Sequence, residues 1–151
     1  MSASESFASR KPIVAGYVLT SLAALFLTFD TTIKVLRLAP AVEGTIALGY
    51  PASTVLPIGL IELTCLALYL LPRTSVLGAV LITGYLGGAI ATHVRIGSPL
   101  MSHTLFPIYV ALMLWGGLYL REPRVRKLIP FVALSPSVAA PTRAIQGREG
   151  W

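Results

Sequence analysis

Four apolar stretches, each about as long as a membrane-spanning helix, constrain this chain more than any other feature of its sequence. They cover residues 12–33, 54–71, 75–94 and 103–120. About 20 apolar residues are needed to cross the hydrocarbon core of a bilayer, where every backbone polar group must be paired within the protein. The sequence therefore predicts an all-α fold, an integral membrane four-helix bundle.

The composition agrees with this class. Hydrophobic residues make up 55% of the chain and charged residues only 12%, whereas a soluble domain carries about 25% charged residues. The net charge of +6 is typical of basic flanks on the cytoplasmic side of a membrane protein. No alternation of basic and aromatic residues indicates a nucleic-acid partner. Because Cys65 is the only cysteine, an intrachain disulfide is excluded.

Lysine and arginine are unequally divided between the two sides of the predicted bundle. One side carries Arg10, Lys11, Arg73, Arg121, Arg124, Arg126 and Lys127. The other side carries Lys34, Arg37 and Arg95. The positive-inside rule then predicts that both termini are cytoplasmic, and we expect the plasma (inner) membrane of a bacterium. The first apolar stretch is interpreted as a retained span, because it is too long for the core of a signal peptide.

Composition also divides the chain into three parts. Residues 1–11 are predicted to be a short N-terminal cytoplasmic segment, and residues 12–130 contain the four transmembrane helices. Residues 131–151 are rich in Pro, Ser and Ala. A segment of this kind cannot bury enough apolar surface to fold, so we expect a disordered C-terminal tail.

Within and at the ends of the predicted spans, carboxylates and histidines, with the basic residues beside them, fall in one half of the bundle, the outer half in this orientation, whereas the other half has only tyrosines and Cys65 as ionisable residues inside its spans. The residues of the outer half are Asp30, Lys34, Glu62, His93, Arg95 and His103. A lone charge in hydrocarbon costs several kcal/mol, so residues of this kind usually face the interior of a bundle and pair with one another. The sequence therefore predicts that these six side chains converge on a polar pocket.

Each of these residues also has a purely structural interpretation. Asp30 and Lys34 lie four residues apart on one helical face and can form a local ion pair. Glu62 can be held by a salt bridge or by a hydrogen bond in its protonated form, and either histidine can be an interfacial residue. Arg95 can be a favourable charge at a helix C-terminus, or it can hold Glu62, Asp30 or an anionic substrate.

A metal site is disfavoured. Two histidines and two carboxylates would suit a first-row metal ion. However, they lack a compact spacing such as His-x-x-x-His, and a lysine and an arginine nearby would oppose a cation. A haem held by both histidines is disfavoured as well, because the two residues lie at the interface on consecutive helices.

Two further patterns predict which helix faces pack. Gly84-x-x-x-Gly88 allows close approach of a second helix, and we expect that helix to belong to the same chain rather than to a dimer partner. Glu62, Cys65 and Tyr69 form one stripe along the second span. We expect this stripe to face the core of the bundle.

Three stretches of the chain match the pattern of a known family. They are FLTFDTTIKV, GLIELTCLALYLLPRTSVLGAVLITGYLGGAIATHVRIG and LWGGLYLREPRVRKLIP. Over residues 13–128 the chain resembles the DoxX-like family of small four-helix membrane proteins. That resemblance implies a link to quinone or redox chemistry, since the family takes its name from a subunit associated with a quinone-linked sulfur oxidoreductase. The residues that match are the same six ionisable residues.

Two classes of function follow from the predicted pocket. In the first, the protein is a binding module that holds a lipophilic molecule such as a quinone beside a redox partner protein, through Lys34, Glu62, His93, Arg95 and His103. An imidazole suits this role because it can hydrogen-bond a quinone oxygen and exchange a proton near neutral pH. In the second, the protein is a membrane-embedded acid/base enzyme of the isomerase or epoxide-opening type. Its catalytic residues would be Glu62, Asp30, His93 and His103.

A proton-coupled transporter is a weaker alternative. Four short spans without an inverted repeat do not match the usual transporter architecture, although a homodimer would supply the missing half. The sequence leaves the identity of the ligand and the oligomeric state open.

Overall fold

The computed structural model describes residues 3–128, and these residues form six α-helices and no strand. The helices are α1 (Ala3–Val35), α2 (Ala39–Ala47), α3 (Val55–Leu70), α4 (Ser75–Arg95), α5 (Phe106–Arg121) and α6 (Pro123–Leu128). Four helical segments are long and apolar enough to cross a membrane, namely Pro12–Val35, Ala52–Leu70, Ser75–Arg95 and Leu100–Arg121. The predicted all-α fold with four spans is therefore confirmed. The tail predicted for residues 131–151 lies outside the described residues.

The structure adds local detail that the apolar pattern does not predict. Helix α1 begins at Ala3, nine residues before the first apolar stretch. His103 lies near the start of the fourth span, as the sequence predicts, in a wider helical turn, Leu100–Thr104, that precedes α5. Helix α5 then begins with Pro107 in its first turn, where the missing N–H of proline leaves no helical hydrogen bond unmade.

The four spanning helices form a ring in which each packs against two neighbours. Helix α1 contacts α3 and α5, and α4 contacts the same two helices from the opposite side. Successive spans are antiparallel: Lys34 near the end of α1 faces Gly59 near the start of α3, for example, and α2 lies in the connection between them. The bundle therefore has an α2 end, where α1 and α4 finish and α3 and α5 begin, and an α6 end, which holds the start of α1 and the end of α5.

The core of the bundle is mainly apolar, and the buried hydroxyl of Tyr69 within it is hydrogen-bonded. Leu27, Ile82 and Leu114 are buried within it. Tyr69 is fully buried, and its hydroxyl donates a hydrogen bond to the carbonyl of Leu114 at 3.0 Å. The stripe predicted on the second span is buried, with Tyr69, Cys65 and Glu62 all on the inward side of α3.

Close approach of helices depends on glycines other than the predicted pair. Within residues 3–128, no atom lies within 4 Å of a Cβ built on Gly84 or Gly88, so the expected intrachain packing at this motif is wrong. Instead, α1 and α5 cross where Gly16 faces Gly117. A Cβ on Gly117 would lie 2.5 Å from the Thr20 hydroxyl oxygen and 2.9 Å from the Thr20 backbone nitrogen.

The close approach of α1 and α5 at this crossing leads to a prediction about the stability of the protein. We expect Gly117→Ala to destabilise the protein by about 1–3 kcal/mol, because the added methyl group forces the two backbones apart. Gly116→Ala is the matched control, since its Cβ would lie 3.6 Å from the Leu19 side chain, an ordinary contact. The thermal unfolding midpoint in detergent, followed by circular dichroism, measures the difference. Equal midpoints for the two variants would contradict the crossing.

Candidate functional site

A buried cluster of charged and hydroxyl groups joins three helices near the α2 end. The Lys34 ammonium donates hydrogen bonds to Asp30 Oδ2 at 2.5 Å, to Glu62 Oε2 at 2.8 Å and to the Tyr85 hydroxyl oxygen at 2.7 Å. The Tyr85 hydroxyl in turn donates to Glu62 Oε2 at 2.9 Å. We call these four residues the lysine cluster. Helices α1, α3 and α4 are thereby tied together by polar contacts inside the bundle.

The local sequence explains why the lysine cluster forms. Asp30 and Lys34 are one helical turn apart on α1, so their side chains meet on one face. Gly59 on α3 lets the α1 backbone come close, since a Cβ there would lie 2.8 Å from the Lys34 Cβ and 3.1 Å from the Val35 nitrogen. Glu62 is three residues beyond Gly59, on the same face of α3. Its carboxylate therefore reaches the ammonium.

Burial differs sharply among the members of the lysine cluster. The Glu62 side chain is only 1% exposed, whereas the side chains of Lys34 and Asp30 are 17% and 28% exposed. Within residues 3–128, Glu62 Oε1 is buried without a hydrogen-bond partner. Two carboxylates share one ammonium, so the cluster carries a net negative charge when both carboxylates are ionised. Pairing of this kind is how charges are accommodated within a membrane.

The two histidines lie side by side. Their ring centroids are 5.6 Å apart and the rings are inclined at 62°. His93 Nδ1 is hydrogen-bonded to the Ser98 hydroxyl at 2.9 Å, and His103 Nδ1 to the Ser102 hydroxyl at 2.8 Å. We call the two imidazoles the histidine pair. Each ring keeps its Nε2 free of hydrogen bonds to the described part of the chain.

The lysine cluster and the histidine pair both border one cavity of about 860 Å³. Ligand pockets typically have volumes of about 300–1,000 Å³. Polar side chains on its wall come from Asp30, Lys34, Tyr85, His93 and His103. Much of the remaining wall is apolar and includes Leu27, Ile33, Leu86, Phe106 and Val110. The cavity is therefore a mainly apolar space bordered by the lysine cluster and the histidine pair, and the hydroxyl residues Thr45, Tyr50 and Thr92 also line it.

Glycines and the short helix α2 shape this cavity. Gly84 and Gly88 lie on its α4 wall, where their missing side chains leave space. Helix α2 contributes a run of wall residues that includes Ala41, Gly44 and Thr45. The glycine motif of α4 therefore contributes open space to the cavity rather than a contact between helices.

Arg95 is not among the residues that line the cavity, and of the two positions considered for it the structure places it at a helix end rather than against a carboxylate. Its Nη2 donates to the carbonyl of Leu48 at 2.6 Å, and its guanidinium lies 5.7 Å from the centroid of the Tyr50 ring. The physical reason is position: Arg95 ends α4 beside the C-terminal end of α2, where backbone carbonyls lack helical partners and favour a cation.

The structure thus brings together most, but not all, of the predicted residues. Asp30, Lys34, His93 and His103 reach the cavity wall, while Glu62 is held behind Lys34 and Tyr85 by hydrogen bonds. Among the residues that the structure describes, no three His, Cys, Asp or Glu side chains are grouped so that they could hold a metal ion.

Sequence reasoning missed Tyr85 as a member of the site. The signal that indicates it is spacing, because Tyr85 precedes His93 by eight residues and therefore lies on the same face of α4. Ser98 and Ser102, which hold the imidazoles, also escaped notice. Their role depends on how the loop between α4 and α5 folds, and this is not encoded in a periodic pattern.

The fold and the site define a class: a four-helix integral membrane protein with a cavity that reaches buried charged groups at one end of the bundle. The sequence model of the DoxX-like family matches residues 18–117, a range that includes the whole lysine cluster and the histidine pair. The chain belongs to the DoxX-like family. No curated protein and no solved structure matches it.

Proposed function

We propose that this DoxX-like protein is a membrane binding module for a lipophilic molecule of the quinone type. The observation that carries the proposal is the cavity of about 860 Å³, which is mainly apolar and has the lysine cluster and the histidine pair on its wall. An apolar pocket with a few convergent polar groups is the usual form of a small-molecule site. The apolar wall suits a hydrocarbon ring or chain, and the polar groups suit a headgroup.

The histidine pair supplies the chemistry that a quinone carbonyl requires. Serine hydroxyls engage Nδ1 of both rings, so Nε2 is the nitrogen that each ring keeps for a ligand. When Nδ1 accepts the serine hydroxyl proton, Nε2 carries the ring proton and can donate to a carbonyl oxygen. Two donors from neighbouring helical segments would then orient one end of the ligand.

The location and partners of the protein are part of the same proposal. Basic residues are concentrated at the α6 end, where Arg121 ends the last span and Arg124, Arg126 and Lys127 follow it. The positive-inside rule supports a cytoplasmic α6 end and a cavity in the outer half of a bacterial inner membrane. A bound quinone would connect the protein to a redox partner protein, in keeping with a subunit rather than a complete enzyme.

A membrane-embedded acid/base enzyme is the second candidate, and one observation favours it. Asp30 is a carboxylate on the wall of an apolar cavity, and only one of its oxygens is engaged by Lys34. Such a group can accept a proton from a bound substrate. The purified protein would then convert a lipophilic substrate without a partner, whereas a binding module would release its ligand chemically unchanged.

Titration with a quinone tests the first proposal. The protein in lipid nanodiscs is titrated with decylubiquinone by calorimetry, and solvent extracts of the purified protein are analysed by mass spectrometry for bound quinone. We expect saturable binding, and we expect His93→Leu/His103→Leu to weaken it by about tenfold, the loss of two modest hydrogen bonds. Wild-type protein that neither binds the probe nor carries a quinone would overturn the proposal. Recovery of a chemically altered probe would favour the enzyme.

A further inference from the structure

The lysine cluster contains more hydrogen-bond acceptors than donors. An ammonium has three protons, and Lys34 uses all of them on Asp30, Glu62 and Tyr85. The single hydroxyl proton of Tyr85 goes to Glu62 Oε2. No donor in the cluster is left for a ligand. Two carboxylate oxygens, Asp30 Oδ1 and Glu62 Oε1, have no hydrogen-bond donor among residues 3–128.

Only one of these two oxygens belongs to a residue on the cavity wall. Asp30 lines the cavity and its side chain is 28% exposed, whereas Glu62 is 1% exposed and lies behind the wall. A carbonyl oxygen placed beside Asp30 would bring one acceptor against another. A polar group that desolvates a carboxylate without donating to it lowers affinity. The ligand group at this position must therefore be a hydrogen-bond donor.

We propose that Asp30 recognises a hydroxyl group, so that the ligand is a lipophilic alcohol or phenol whose O–H donates to Asp30 Oδ1. This inference rests on the proposed binding function and names the chemistry of the headgroup. A neutral donor is favoured over a cationic one because most of the cavity wall is apolar, and burying an ammonium group against apolar side chains costs more than burying a hydroxyl group. The histidine pair is then available to bind a second polar group of the same ligand.

Matched probes distinguish a hydroxyl donor from other headgroups. Calorimetry in lipid nanodiscs compares para-nonylphenol with para-nonylanisole, which differ only by methylation of the oxygen. A hydrogen bond to a charged group contributes about 1.5–3 kcal/mol, so we expect the phenol to bind at least about tenfold more tightly. In Asp30→Asn the preference for the phenol should fall to about twofold, because the charge on the acceptor is lost.

Glu43→Gln is the matched control, since it removes a carboxylate from α2 that is exposed and not on the cavity wall. It should keep the full preference for the phenol. Gel filtration and thermal unfolding establish whether Asp30→Asn folds. If it does not, the comparison of phenol with ether on the wild-type protein still decides the question.

The outcomes separate this inference from the function on which it rests. Equal or tighter binding of the ether, or of decylubiquinone, would overturn the hydroxyl assignment and leave the binding function in place. Tighter binding of decylamine than of the phenol would replace the hydroxyl by a cationic headgroup. If the wild-type protein binds none of the probes, both the inference and the proposed function fail.

Discussion

Lys34→Met is expected to destabilise the protein more than any other single substitution at the α2 end. The lysine side chain donates to Asp30, Glu62 and Tyr85, and among the described residues it is the cation that pairs with these two carboxylates. Its loss leaves Glu62, which is 1% exposed, with Tyr85 as its sole donor among the described residues. Removing one partner of a buried ion pair typically costs about 3–5 kcal/mol.

A double variant separates the effect of the unpaired charge from the effect of losing the packing of the aliphatic part of the lysine side chain. Lys34→Met/Glu62→Gln removes the uncompensated negative charge and should recover part of the lost stability. Lys127→Met, on the exposed surface of α6, is the control for loss of a positive charge. Thermal unfolding in detergent, followed by circular dichroism, gives the four midpoints. A Lys34→Met midpoint equal to that of Lys127→Met would mean that the ion cluster does not hold the helices together.

The four spans and the meeting of the charged residues could be predicted from the sequence, because each follows from a large free-energy cost in hydrocarbon. Hydrocarbon excludes unpaired backbone groups, so long apolar stretches become helices. It also penalises lone charges, so Asp30, Lys34 and Glu62 were expected to meet although they come from two helices. Membrane topology then limits which ends of the spans can lie together.

The remaining features depend on contacts between distant residues that no local pattern encodes. Helix α2 is nine residues long, and its C-terminal end is secured by Arg95, 47 residues beyond Leu48. The spacing of Gly84 and Gly88 does not specify which helix, if any, packs against them. Helices α1 and α5 approach closely at Gly16 and Gly117 instead, two glycines separated by a hundred positions.

No other described helix packs against Gly84 and Gly88, so these glycines have a role other than close helix packing. A glycine at which a side chain would meet no atom is not needed for helix packing. Both glycines border the cavity, so their effect is to keep space there that any larger side chain would fill. Gly87 is equally open to an added Cβ but does not border the cavity. The three residues therefore provide a test of the cavity that leaves every polar group in place.

Gly88→Leu is expected to weaken binding of decylubiquinone and para-nonylphenol by at least about thirtyfold, equivalent to about 2 kcal/mol. The leucine side chain would extend into the cavity that Gly88 borders, and its Cβ would meet no atom of another described helix within 4 Å. Gly87→Leu adds the same side chain one residue earlier on α4, rotated by roughly 100° about the helix axis. It should leave both affinities and the unfolding midpoint unchanged.

Calorimetry on the two variants and the wild type, in the same nanodiscs, makes the comparison quantitative. Normal binding by Gly88→Leu would mean that these molecules bind elsewhere on the protein, whatever the lysine cluster and the histidine pair do. Equal loss in both variants would point to a general effect of leucine on α4 and would also count against the cavity. Loss confined to Gly88→Leu would assign binding to the cavity side of α4, because the two substitutions differ only in the direction of the added side chain.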